Sequence, residues 1–169
     1  WRGPEAPPKD YRAVKENLLK FINDYQPYVY IAGPITGIPS YNRAAFAEAE
    51  CALRRIGYRV FNPTAPGPRY PDYDPEAPRE NHLRRGIKEL LECDVVFALE
   101  GYLHSFARIE VEMAKELGLP VFYEKYGFCV WALKRTHLLC RRTAKDNKLG
   151  FSRAQLVTFQ RIADELDDG

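Results

Sequence analysis

Apolar positions along the chain fall into two kinds of run, and the two kinds alternate. Tyr11, Val14, Leu18, Leu19 and Ile22 recur every three or four residues, which predicts a helix over 10–24. YVYIA at 28–32 is a short unbroken apolar run and predicts a strand. Phe46, Ala49, Leu53 and Ile56 form one stripe, so a helix is expected over 41–56, capped by Ser40 and stopped by Gly57. YRVFN at 58–62 reads as a second strand. Leu83, Ile87, Leu90 and Leu91 predict a helix over 79–92. DVVFAL at 94–99 then has the near-continuous apolar character of a central parallel strand. A helix over 106–118, closed by Gly118 and Pro120, leads to the strand VFY at 121–123. Beyond it 127–150 is mixed, and 152–166 reads as a helix capped by Ser152. The first residues, WRGPEAPPKD, are Pro-rich and predict a draped or disordered arm over 1–9.

Strand and helix in alternation predict an α/β fold around a parallel sheet with right-handed crossovers. Such sheets bind ligands at the carboxyl ends of their strands. Three segments leave strands at that edge: the Gly/Pro stretch after 28–32, the loop PTAPGPRYPDYDPEAP at 63–78, and EGYLHSFARIE after 94–99. Proline removes backbone donors, so 63–78 is not regular structure. Its Arg69, Tyr70 and Tyr73 favour a lid over a solvated linker. The candidate site lies at this edge.

At 169 residues the chain reads as a single domain, able to bury roughly 70% of its unfolded surface. Charge is balanced, 25 basic against 23 acidic residues, which argues against a nucleic-acid coat or a polybasic membrane anchor. No apolar run approaches a membrane span and no signal-peptide pattern is present. Trp1 in place of an initiating Met reads as a truncated or processed start. Cys51, Cys93, Cys129 and Cys140 lack CxxC spacing and read as free thiols, Cys51 and Cys93 as buried ones, in a reducing, cytoplasmic compartment. No metal and no cofactor is expected.

Among groups able to do chemistry, Glu110 stands out. In ARIEVEMAKELG it shares a helical stripe with Met113, Ala114 and Leu117, which sets a carboxylate on or beside an apolar face near a helix start. It is either a helix-dipole partner or a desolvated nucleophile or base. GPITG lacks both the GK[ST] ending of a P-loop and the GxGxxG spacing. Asp94 is a site residue or a turn residue. His82 and His104 are proton carriers or backbone partners. Arg84, Arg85 and Arg108 are surface charges or anion clamps, and sequence does not rank them.

YIAGPITG, ELLECDVVFAL and ARIEVEMAKELGLPVFY, in this order and spacing over 28–123, resemble the nucleoside 2-deoxyribosyltransferase superfamily, which includes nucleoside 5′-monophosphate N-glycosidases. Within it the motifs resemble a branch common in phage genomes. The resemblance implies a flavodoxin-like (Rossmann-like) parallel sheet with helices on both faces, assembled as a homodimer or larger. It implies cleavage of the N-glycosidic bond of a 2′-deoxynucleoside or its monophosphate, a small-molecule substrate rather than a nucleic acid. Glu110 occupies the position of the attacking carboxylate, and Tyr30 that of an aromatic close to it. Gly33, Pro34, Ile35 and Gly37 match the segment under the sugar and near the phosphate, with Asn42 beyond it. The glycines would let backbone approach a ligand.

Asp94 matches the acid that opens the next strand and Ser105 the loop before the nucleophile; with Gly86 and Arg108 they are carried as candidate substrate-binding residues. Two departures stand out. The acid common eight residues before Asp94 is Gly86 here, leaving His82, one turn earlier, as a candidate proton donor to the leaving base. The glycine expected after Ser105 is Phe106. Loss of the acid keeps open a nucleotide-binding module without turnover, and an NAD-type glycohydrolase is a further alternative. Residues 127–169 lie outside the resemblance and read as a C-terminal helical extension.

Overall fold

The structure, a computed structural model, describes residues 11–124 and 150–167. The expected N-terminal arm, the mixed segment at 127–149, Cys129 and Cys140 lie outside the described residues. Helix α1 is Tyr11–Asp24, strand β1 Tyr28–Ala32, helix α2 Arg43–Arg55, and strand β2 Arg59–Phe61. Helix α3 is Arg79–Glu92, strand β3 Val95–Ala98, helix α4 Ala107–Glu116, strand β4 Val121–Tyr123, and helix α5 Arg153–Asp167.

The described residues form two compact units. In one, running from Gln26, the four strands make an all-parallel sheet in the order β2-β1-β3-β4. This is the flavodoxin-like α/β arrangement. Alternation along each strand divides the core in two. Tyr30, Ala32, Phe61, Val96 and Ala98 pack with Leu90 and Cys93 of α3 and with Ala107, Val111 and Ala114 of α4. Val29, Ile31, Val95 and Phe97 point to the opposite face, and α2 packs on β1 and β2 through its buried Phe46, Ala49 and Leu53.

In the other unit α1 packs on α5, around buried Leu18 and Ile162. Ser152 caps α5 as expected: its Oγ accepts the Gln155 N–H at 3.2 Å, and Gln155 Oε1 accepts the Ser152 N–H at 2.8 Å, a reciprocal capping box. The two ends of the chain, far apart in sequence, thus belong together.

Three local expectations are corrected. Ser40 does not cap α2: Ser40, Tyr41 and Asn42 form a left-handed turn with φ of 54°, 56° and 57°, and Asn42 takes the cap position with no side-chain bond to the helix. Leu91 is exposed, because the buried face of α3 runs through Gly86, Glu89 and Leu90 instead. Cys51 is exposed while Cys93 is buried, since position 51 lies off the Phe46–Ala49–Leu53 stripe. No helix among the described residues is long and apolar enough to cross a membrane.

Leu90 is fully enclosed between α3 and the sheet. Leu90→Ala is expected to lower the unfolding free energy by about 2–5 kcal/mol, measured by urea denaturation.

Candidate functional site

Strand alternation directs Tyr30, fully buried, toward α3 and α4. Its hydroxyl donates to Glu110 Oε1 at 2.8 Å. Glu110 lies in the first turn of α4, beside the buried Ala107–Val111–Ala114 stripe, and is half-buried as a residue. Desolvation raises its carboxyl to about 7, and the Tyr30 bond, which favours the charged form, only partly offsets that. Burial, and then the Glu110 charge, push Tyr30 well above its ordinary value, so the phenol stays a donor. Near neutral pH the carboxyl therefore populates both its protonated and its charged form.

Gly86 closes over this pair. A Cβ there would stand 2.6 Å from the Tyr30 hydroxyl and 2.9 Å from Glu110 Oε1. Glycine is a condition of the contact, because any side chain at 86 displaces one partner or the other. The acid that the resemblance places at this position is incompatible with the Tyr30–Glu110 geometry.

The other sequence candidates separate into those near this pair and those away from it. His82 lies one turn before Gly86 on α3, with its ring against Tyr73 at 5.8 Å. At the carboxyl end of β1, Gly33 is glycine because Leu99 requires it: a Cβ would meet the Leu99 side chain at 2.9 Å. Pro34 is held by Asn42, whose Nδ2 donates to its carbonyl at 2.9 Å, which ties the segment carrying Ile35 and Gly37 to the start of α2. Ser105 uses its hydroxyl locally, donating to the Tyr102 carbonyl at 2.9 Å and accepting the Ala107 N–H at 3.2 Å.

Phe106, where the resemblance expects glycine, lies under the Arg79 guanidinium, 3.4 Å from Cζ to ring centroid, which joins the starts of α3 and α4. Arg84, Arg108 and His104 are exposed. Asp94 is not part of this group. It precedes β3 at the amino edge of the sheet and accepts the Tyr28 N–H at 2.8 Å, which fastens β1 to β3.

Sequence reasoning missed how α3 organises the loop at 63–78. An Asn62 turn starts it, Oδ1 accepting from the Thr64 N–H and Oγ1 at 2.9 and 2.7 Å. Arg85 donates to the Pro63 and Ala65 carbonyls and lies among the rings of Phe61, Tyr70 and Tyr73. One helical turn on, buried Glu89 accepts from Tyr28 Oη at 2.5 Å, Arg69 Nη1 at 2.9 Å and Tyr70 Oη at 3.1 Å. Burial alone would raise the Glu89 carboxyl, but these donors outweigh it and hold it below its ordinary value. The loop is therefore a built wall, and from it Tyr70 meets Phe61 edge-on and Phe61 lies tilted against Tyr30, which reaches the carboxylate. The available signal was the pairing of an acid and an arginine on the apolar side of α3 with a loop rich in Tyr and Arg.

The family model described as "Domain of unknown function (DUF4406)" matches residues 27–123, which span this sheet and the whole candidate site. No curated protein matches the chain.

Helix propensity alone would make Gly86→Ala stabilising by about 1 kcal/mol. The clash with Tyr30 and Glu110 is expected to reverse the sign, to a net loss of about 1–3 kcal/mol in chemical denaturation. Tyr30→Phe removes the one donor that favours the charged form, so the Glu110 carboxyl should titrate above its parent value of about 7 in a carboxyl-carbon NMR titration.

Linkage gives a third expectation. Between the ordinary carboxyl value of 4.5 and about 7 the folded state keeps a proton that the unfolded chain has lost, so this group's contribution to stability falls as pH rises. Glu110→Gln should exceed the parent in stability by roughly 1–3 kcal/mol at pH 8, and the gap should close toward pH 4.5. Equal stability at both pH values would show that Glu110 is not desolvated.

Proposed function

Because the chain belongs to the DUF4406 family, whose description states no activity, we propose its chemistry from the site. It cleaves the N-glycosidic bond of a 2′-deoxynucleoside or its 5′-monophosphate, with Glu110 as nucleophile and the sugar passed to water or to another base. The observation that carries this reading is the desolvated Glu110 carboxylate held through one oxygen by Tyr30. The resemblance to the nucleoside 2-deoxyribosyltransferase superfamily supports it, as does the position of the pair on β1 and α4.

In this mechanism Tyr30 fixes Oε1, which leaves Oε2 to approach C1′. The C1′–N bond breaks as positive charge develops on the sugar ring, and the bonding pair leaves with the base. A buried carboxylate, stripped of water, stabilises that charge and then closes an ester to C1′. His82, on the helix turn next to Gly86, is the side chain in this reading that delivers a proton to the departing base. Water or a second base then attacks C1′ and frees Glu110. Where the wall at 63–78 keeps water from C1′, transfer is favoured over hydrolysis. The reading includes a homodimeric or larger assembly, taken from the resemblance, working in the cytoplasm, taken from the cysteine pattern.

A second reading, a nucleotide-binding protein without turnover, is favoured by one feature. Gly86 leaves no carboxyl at the α3 position beside Glu110 to activate the leaving base.

Incubation with a panel of deoxynucleosides and deoxynucleoside monophosphates, with and without acceptor bases, separates these readings by mass-resolved chromatography. Release or exchange of base is expected from the parent and not from Glu110→Gln. Attack requires the charged carboxylate, so the acid limb of the rate profile should climb with pH through about 7. The rate should fall again at higher pH as the proton donor to the base is lost. Glu110→Gln turning over as fast as the parent would rule the mechanism out.

A further inference from the structure

Arg85 has more donors than the protein answers. A guanidinium carries five N–H groups in a fixed fork. Nη1 donates to the Pro63 carbonyl at 3.3 Å and Nη2 to the Ala65 carbonyl at 2.9 Å. Cζ lies 5.1, 4.7 and 4.5 Å from the ring centroids of Phe61, Tyr70 and Tyr73. Nε is buried and has no acceptor among the described residues. A buried donor left unmatched costs about 1–3 kcal/mol, and folded proteins keep few of them.

The charge is unmatched as well. Among the described residues Arg85 has no carboxylate at ion-pair distance; Glu89, an acid in its field, is already bound to Arg69. The aromatic cage attracts the cation without neutralising it.

Position adds the second half of the case. Gly86, the next residue, faces both Tyr30 and Glu110, which a Cβ there would meet at 2.6 and 2.9 Å. The Phe61 ring bridges Arg85 and Tyr30, 5.1 Å from each. No other arginine near this wall combines enclosure with an unmatched donor: Arg69 is paired with Glu89, Arg79 lies over Phe106, and Arg84 and Arg108 are exposed.

We infer that Arg85 is the anion-binding residue of this site and that the ligand presents a phosphate monoester to its unused edge. This selects the nucleoside 5′-monophosphate over the free nucleoside and rests on the nucleotide reading proposed above. The Nε–H and the remaining Nη–H donors offer the planar pair that matches two phosphate oxygens, a geometry that lysine lacks. Nε is enclosed in this conformation and the loop at 63–78 supplies two of the three rings around Arg85, so phosphate entry requires that loop to shift.

The test follows the Arg85 Nε–H signal of the intact protein by nitrogen-15 NMR, assigned with Arg85→Lys. Inorganic phosphate, a deoxynucleoside 5′-monophosphate and the matching nucleoside are added separately. The signal is expected to shift with the first two and not with the nucleoside. Calorimetry should give the monophosphate an advantage of about tenfold or more over the nucleoside. Arg85→Lys should remove most of that advantage, and Arg84→Lys should leave it intact.

Equal binding of nucleoside and monophosphate, or phosphate binding that leaves the Nε–H signal unmoved, would overturn the assignment. Phosphate held through Arg85 with no base released from any substrate would keep the anion site and sink the glycosidic reaction. Base released at equal rates from nucleoside and monophosphate, with no response at Arg85, would do the reverse.

Discussion

The contact on which the rest of the site depends is a single part-buried hydrogen bond, Tyr30 to Glu110 at 2.8 Å. A charged carboxylate removed from water needs donors or a cation, and this one has a phenol. One neutral donor does not replace a hydration shell, so the carboxyl titrates near neutrality instead of in the acid range. The constraint extends outward to α3, where Gly86 must lack a side chain so that the two atoms can meet. A strand, two helices and a glycine are thus set by the geometry of one oxygen pair.

Two acids a few residues apart in space show how environment divides a single chemistry. Glu89 is more enclosed than Glu110, yet it accepts from Tyr28, Arg69 and Tyr70 and stays ionised. Glu110 accepts from Tyr30 and holds its proton more tightly. Separate environments of this kind assign separate roles, one carboxylate to structure and the other to reaction. Glu89 fastens the loop at 63–78 to α3 and the amino end of β1, and Arg85 fastens it nearer the reacting pair. The loop has almost no regular structure, but its conformation is specified by α3.

Much of the fold was legible because its signals are local. Apolar periodicity located α3, and an unbroken apolar run located β3, since a strand buried on both faces reads that way. Ser152 and Gln155 spell out the start of α5 in four residues. Where a local signal failed, a longer-range contact had overridden it. Leu91 fits the stripe of an isolated helix, but the sheet meets α3 along Gly86, Glu89 and Leu90. Ser40 is a good capping residue by type, but the Asn42–Pro34 bond accompanies a left-handed turn that puts Asn42 at the cap position.

By itself the sequence determined the alternation of elements, the parallel sheet that alternation implies, and the placement of Glu110 beside an apolar helical face. Each follows from spacing within one element. The tertiary structure decided which side chains share that carboxylate's surroundings. Gly86 read as a missing acid and proved to be the space that Tyr30 and Glu110 occupy. Arg85 was one of three unranked arginines until the rings of Phe61, Tyr70 and Tyr73 closed around it and left Nε without an acceptor. Proton affinity and unmatched donors depend on what is excluded from a site, and exclusion is made by segments distant in the chain.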